Sequence, residues 1–385
     1  MLANRTIICL GKDWQESPTS NNHIMSGLAK TNTVIWLNST GMRMPSLLSS
    51  HDISKIFDKI KEYLQGLKKV SDGLYVFTPL TIPLPGYKAV RKLNSIILAG
   101  LIKKLIRQVG SKNVDIWLFY PTAFELIERL RRDTLVYYCT DEWSQFSYLN
   151  SRLMQETENR LLAEADIVFT TSMALYDSKS KLNHSTFYMP HGVDFNFFSD
   201  ARLDKAPKPN DLENIRRPII GFYGLIQDWL DFGLLRTIAE AHPEWSIVLI
   251  GKIATDVSPI KGIRNIYMLG EKAYRMLPVY SKFFDVAIIP YDIEDKRMQT
   301  VNPTKLKQYL ASSLPVVSVN LPEVRPYSEW VAIAHDRGEF IRSIEKFLKE
   351  NSEELKSARR SSVKDETWLN KIEKISDIII KKYET

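Results

Sequence analysis

At 385 residues, with 44% hydrophobic and 25% charged side chains, the chain has a globular composition and is too long for one ordinary core. Its net charge of +7 is uneven: residues 52–112 hold 12 Lys and Arg against 4 Asp and Glu, so the whole excess lies there. Two lone cysteines, Cys9 and Cys139, exclude a disulfide framework, and with six scattered histidines they make no metal-ligand cluster.

Apolar runs alternate with helical or polar stretches from the start. RTIICLG, TVIWLN, LYVFTPL, DIWLFYP, TLVYYCT, DIVFTTS and TFYMP read as strands up to Pro190, the pattern of a parallel sheet flanked by helices. No signal peptide is expected, because the first strand runs directly into polar sequence, and no apolar stretch reaches the roughly 18 residues that span a bilayer. Unpaired cysteines suit a reducing, cytoplasmic setting. In the basic segment, YKAVRKLNSIILAGLIKKLIRQVG sets Lys88, Arg91, Lys92, Lys103, Lys104 and Arg107 among Leu and Ile at helical spacing. Such a helix either packs on the core with a wet basic face or lies on anionic lipid headgroups. No nucleic-acid module accompanies it, so nucleic acid is not an expected partner.

Residues 1–198 thus make a first domain, and the polar, Pro-rich residues 199–218 read as a linker. PIIGFYG, SIVLIGK, IYMLG, VAIIPY, PVVSV and VAIAH then give a second doubly wound domain over residues 219–365. Residues 366–385 close the chain as an amphipathic helix.

Ligands of open parallel sheets bind beyond the carboxyl ends of the strands, and the polar candidates fall at such ends. Gly224 ends a strand in a turn that lets backbone approach a phosphate, and Lys252 follows the next strand as a possible cation. LVYYCTDEW ends in two carboxylates and an indole. Asp141 there is placed either to accept a proton or to cap a helix beginning DEWSQF; Glu142 is the reserve base, and Trp143 lies beside it. Residues 302–319, NPTKLKQYLASSLPVVSV, read as a short helix opened by Pro303 and followed by a buried strand. Lys305 in its first turn does nothing for helix stability, so it is either solvated or aimed at an anion.

Asn302, Pro303, Lys305, Gln308, Tyr309, Ala311 and Pro315-Val316-Val317 resemble the donor-site signature NPxKxxEYxAxGxPVV of GT-B glycosyltransferases, nearest the teichuronic-acid and xanthan glucuronosyltransferase types. The resemblance implies two Rossmann-like α/β domains facing a cleft, the last helix crossing back to the first domain at Trp368. It implies a nucleotide-sugar donor, with UDP the expected nucleotide. The implied acceptor is a lipid-linked or polysaccharide hydroxyl, and the implied location the inner face of the cell membrane, reached through residues 52–112. Two departures stand out: Gln308 replaces the Glu that commonly holds the ribose, and Thr300 replaces the first Glu of the family's pair. By the same resemblance Gly270, Tyr274 and Tyr291 meet the nucleoside, with Tyr274 otherwise a core residue; His23, at a helix start, meets the acceptor; and Asp141 is the base of an inverting transfer. The nucleotide-sugar is a co-substrate, and neither cofactor nor metal is expected. No G-x-G-x-x-G or P-loop is present, and DIED, residues 292–295, lacks the spacing of a metal-binding Asp-x-Asp. A nucleotide-sugar 2-epimerase and a non-catalytic GT-B subunit remain as alternatives.

Overall fold

A computed structural model of the chain describes residues 1–39, 50–82, 84, 87–110, 113–146, 149–200 and 207–384. They form two compact units, Met1–Pro190 with Lys371–Thr385, and His191–Asn370.

The first unit is built on β1 (Thr6–Leu10), β2 (Thr33–Leu37), β3 (Lys68–Ser71), β4 (Leu74–Phe77), β5 (Val114–Leu118), β6 (Thr134–Cys139), β7 (Ile167–Thr170) and β8 (Thr186–Tyr188). They lie in the order β3-β4-β2-β1-β5-β6-β7-β8. All pairs are parallel except β3 with β4. The central strands read as unbroken apolar runs because both their faces are covered: β5 and β6 are buried at every position. β3 is exposed along its whole length, so KKVS carries no apolar signal and the sequence pattern does not reveal it.

The second unit holds β9 (Ile219–Tyr223), β10 (Ser246–Ile250), β11 (Ile266–Met268), β12 (Val286–Ile289), β13 (Val316–Val319) and β14 (Val331–Ala334). Their order, β11-β10-β9-β12-β13-β14, is parallel throughout. The direction of winding reverses between β9 and β12, which opens a crevice beyond the carboxyl ends of those two strands. The GT-B α/β class expected from the sequence is the observed one: two doubly wound sheets, one per unit.

The stretch read as a linker is partly packed. Leu212 and Ile215 are buried in the core of the second unit, and Asp211 there accepts from Tyr280 at 2.8 Å and pairs with Lys272 at 2.7 Å. A polar, Pro-rich composition gave no hint of two buried aliphatic side chains. The helix Trp368–Glu384 begins in the second unit and continues in the first. Its Ile372, Ile375 and Ile379 are buried at helical spacing. Near its end, the Tyr383 hydroxyl donates to Asp115 at 2.9 Å, and Asp115 also pairs with Arg5 at 2.6 Å.

The basic helix Lys88–Val109 packs one face on the core. Leu98, Ala99, Ile102 and Leu105 are buried. Leu93, Ile96 and Ile97 are about half exposed, on the stripe that continues to the exposed Lys103, Lys104 and Arg107. Among the described residues no helix is long and apolar enough to cross a membrane.

Candidate functional site

In the second unit, three sequence-nominated residues converge at the reversal of the sheet. Gly224 follows β9, Tyr291 follows β12, and Lys305 is the second residue of the helix Thr304–Ala311. Pro303 is the cap of that helix rather than its first residue. The Lys305 ammonium donates to the Tyr291 hydroxyl and lies 5.0 Å from the Tyr291 ring centre and 5.2 Å from that of Phe222. The Phe222 ring and the Tyr291 hydroxyl thus hold the cation in place. An ammonium has three donors, and one is used by Tyr291.

Gly224 is what allows this approach. Its φ is +145°, and a β-carbon there would stand 2.9 Å from Lys305 Cε and 3.1 Å from Nζ. Its own N–H donates to Ile250 O at 2.9 Å, so that amide is already engaged. The glycine serves the lysine more directly than it serves a phosphate. Gly251, which sequence reasoning passed over in favour of its neighbour Lys252, is equally constrained. Its φ is +156°, and a β-carbon would fall 1.8 Å from Gly224 O. The Gly251 N–H donates in turn to Gly270 O at 2.9 Å. Gly224, Gly251 and Gly270 therefore form a chain of backbone turns at the ends of β9, β10 and β11. The Lys252 side chain is exposed, its carbonyl accepting from Ile226.

The other donor-side candidates are tied to partners. Asn302 is buried and donates to Glu323 at 3.1 Å. Glu323, after β13, is a buried carboxylate that the sequence pattern missed, since nothing local marks it as the partner of Asn302. The Tyr274 hydroxyl donates to Asp194 at 2.8 Å and its ring stacks on Phe197 at 5.7 Å. Burial, and then Asp194, push its pKa well up, while a hydrogen bond from Gln308 works the other way. Gln308 and Tyr274 are thus a pair. Beside the β9 turn, Arg297 bonds to Asp228 at 2.8 Å and also to Asp295. It supplies the cation next to Asp228 that the residues after the turn lack.

In the first unit, Asp141 stands two residues beyond β6, half-buried. Its carboxylate accepts from Thr140 Oγ1 at 2.9 Å. Burial raises its pKa and the Thr140 bond offsets part of that rise. The short 3₁₀ turn Trp143–Gln145 takes Glu142 as its cap, with no side-chain cap bond, so Asp141 is not a helix cap. Glu142 is engaged: it pairs with Lys179 at 2.8 Å and accepts from Ser144 at 2.8 Å. Lys179 is buried and pairs also with buried Glu158 at 2.7 Å, which accepts from Tyr137 at 2.6 Å. Burial works to lower the Lys179 pKa, but Cys139, Glu158 and Glu142 outweigh it and the ammonium stays charged. A buried cation shared by two carboxylates costs heavily if any member is lost, so it fixes the loop carrying Asp141.

Trp143 is buried between Tyr120 and Phe146, with ring centres 4.8 and 5.6 Å away, and its indole N–H has no hydrogen-bond partner among the described residues. His23 is the fourth residue of the helix Ser20–Leu28, half-buried, rather than part of its start. Asn22 takes the start-of-helix role by accepting from the Thr19 N–H at 3.0 Å. No group of His, Cys, Asp and Glu among the described residues could hold a metal ion.

No protein-family profile matches the chain. It is 29% identical over 276 residues, 66% of its length and 68% of the other, to the "Putative teichuronic acid biosynthesis glycosyltransferase TuaH" of Bacillus subtilis (strain 168). In structure it is similar to sucrose-phosphate synthase from Thermosynechococcus elongatus, with TM-score 0.72, 13% identity and 99% of each chain covered. It is similar also to a UDP-forming alpha,alpha-trehalose-phosphate synthase from Burkholderia xenovorans, with TM-score 0.67, 12% identity and 99% of each chain covered. Anabaena HepE in complex with UDP and glucose matches with TM-score 0.63 and 13% identity, over 97% of this chain and 99% of that one. The chain therefore has the GT-B fold and resembles, in sequence, a glycosyltransferase of teichuronic acid biosynthesis.

Proposed function

We propose that the chain is a metal-independent glycosyltransferase that moves a sugar from a UDP-sugar to a hydroxyl of a lipid-linked or polysaccharide acceptor, inverting the anomeric centre. The observation that carries this reading is the Lys305 ammonium, held by Tyr291 and Phe222 against Gly224 at the reversal of a nucleotide-binding type of sheet. The sequence likeness to TuaH and the structural likeness to UDP-forming and UDP-bound proteins support UDP as the nucleotide.

In this reading the bond between the anomeric carbon and the diphosphate breaks with its electron pair leaving on UDP. Lys305 and the N-terminal end of the helix Thr304–Ala311 meet that charge as positive groups already in position. The acceptor oxygen forms the new bond and gives its proton to the Asp141 carboxylate. A raised pKa makes Asp141 a stronger base than an ordinary aspartate while leaving it ionised at higher pH. Asn302, Gln308, Tyr274 and the turn at Gly270 complete the donor side, with Lys252 on its rim; His23, Glu142 and Trp143 belong to the acceptor side. The half-exposed Leu93, Ile96 and Ile97, followed along the helix by Lys103, Lys104 and Arg107, suit the surface of an anionic membrane, where a lipid-linked acceptor resides.

Lys305→Ala should weaken UDP binding by about 1–3 kcal/mol, the scale of a charge-assisted hydrogen bond, at unchanged folding stability. Calorimetric titration with UDP checks this, and unchanged affinity would remove the assignment. Acceptor-dependent UDP release should also persist in EDTA.

Asp141→Asn should lower turnover on the order of 10²–10⁴-fold while leaving UDP affinity intact. In the parent, the rate should climb with pH through a value above the ordinary carboxylate range, and the Asn variant should lack that limb. The sign for stability follows from the same raised pKa: the fold favours the protonated acid, so the ionised carboxylate costs stability at neutral pH. The Asn variant should therefore melt higher than the parent at neutral pH, and the gap should close as pH falls below the unfolded aspartate value. A wild-type pH profile in the variant would contradict Asp141 as base.

Binding to anionic vesicles should fade with rising salt, since exposed charges are screened over about 8 Å at physiological ionic strength. It should drop when Leu93, Ile96 and Ile97 are replaced together by Ser; equal sedimentation with neutral and anionic vesicles would count against the surface.

A further inference from the structure

A cavity lies wholly within the first unit and is lined by none of the candidate site residues above. It measures about 360 Å³ and sits beyond the carboxyl ends of β1, β2 and β4, the side of an open parallel sheet on which ligands bind. Its volume lies within the range of small-molecule sites and matches a single sugar ring.

The cavity is built around a directed chain of hydrogen bonds. The Trp14 N–H donates to Asn38 Oδ1 at 2.9 Å. The Asn38 amide donates to Thr78 Oγ1 at 2.8 Å, and the Thr78 hydroxyl donates to Glu62 Oε2 at 2.7 Å. Asn38 and Thr78 are buried, so the chain fixes the Glu62 carboxylate with its other oxygen, Oε1, unused among the described residues. The Trp14 indole is half-buried and set edge-on to buried Trp36, centres 4.9 Å apart. Gly11 makes room for this arrangement, because a β-carbon there would fall 2.2 Å from the Trp36 ring. The amides of Gln15 and Gln65 and the lysines Lys68 and Lys69 complete its polar wall.

An indole face beside a fixed carboxylate and two amides is the chemistry of a hydroxyl-rich ring with apolar C–H faces. We infer that this cavity is a subsite for a sugar ring of the acceptor, held by Trp14 and Glu62. The ligand class rests on the glycosyl-transfer reading; the cavity and its hydrogen-bond chain do not.

The test uses saturation-transfer NMR on the full-length, nucleotide-free protein with methyl glycosides of glucose, galactose, N-acetylglucosamine and N-acetylgalactosamine, and with a methyl glucuronide as charged comparator. At least one of these glycosides should receive saturation. Glu62→Gln keeps an acceptor for Thr78 and should raise the dissociation constant about 10-fold. Trp14→Ala should abolish the signal in protein shown folded by circular dichroism. UDP titration of the same samples separates the two claims: glycoside binding without UDP binding would sink the donor reading and leave the subsite standing. UDP binding with no glycoside bound would overturn the subsite, as would glycoside binding that both variants leave unchanged.

Discussion

The approach of Lys305 to Gly224 organises the second unit's candidate site, and it depends on there being no side chain at position 224. Any β-carbon would meet the lysine stem at about contact-forbidding distance, and the backbone there, at φ +145°, already suits glycine alone. The Phe222 ring and the Tyr291 hydroxyl then hold the ammonium in a single place. A cation fixed in advance loses little freedom when an anion arrives, which is the physical advantage of building it on sheet ends and a helix start. The same constraint runs along the sheet through Gly251, whose own missing side chain accommodates the Gly224 carbonyl.

The first unit positions its candidate base by a different device. Asp141 is held by few contacts of its own, and the loop around it is anchored by Glu142 on buried Lys179. Glu142 sits next in sequence to Asp141 yet has a different environment: one carboxylate is paired, the other is desolvated and pushed up in pKa. That contrast divides structural from chemical work between adjacent acids. It also makes Glu142 a poor reserve base, because its charge is committed to a lysine that has few alternatives in the interior.

How much of this was legible in the sequence differs from residue to residue. Most strands of both sheets are readable as apolar runs; the rule that ligands sit beyond strand ends picks out Gly224, the first turn of a helix picks out Lys305, and the family resemblance adds Tyr291. β3 was not readable, since an exposed hairpin strand has no buried face to pattern its sequence. Gly251 and Glu323 escaped because their roles come from partners distant in the chain, the Gly224 carbonyl and the Asn302 amide. The family resemblance makes Tyr274 a nucleoside contact and its residue type alone a core one; its hydroxyl is bonded to Asp194, a pairing that no local spacing encodes. Arg297 likewise lay in a loop whose sequence showed charges of both signs without showing which of them meet.

The most direct measurement is hydrogen exchange of the full-length protein with and without UDP. The account predicts that UDP slows exchange in three separate stretches, the turn at 222–226, the turn at 250–254 and the helix start at 303–307, because these are the backbone segments around Lys305 and its glycines. Saturating UDP that leaves all three unchanged, while protecting other backbone or none, would contradict the placement of the donor site.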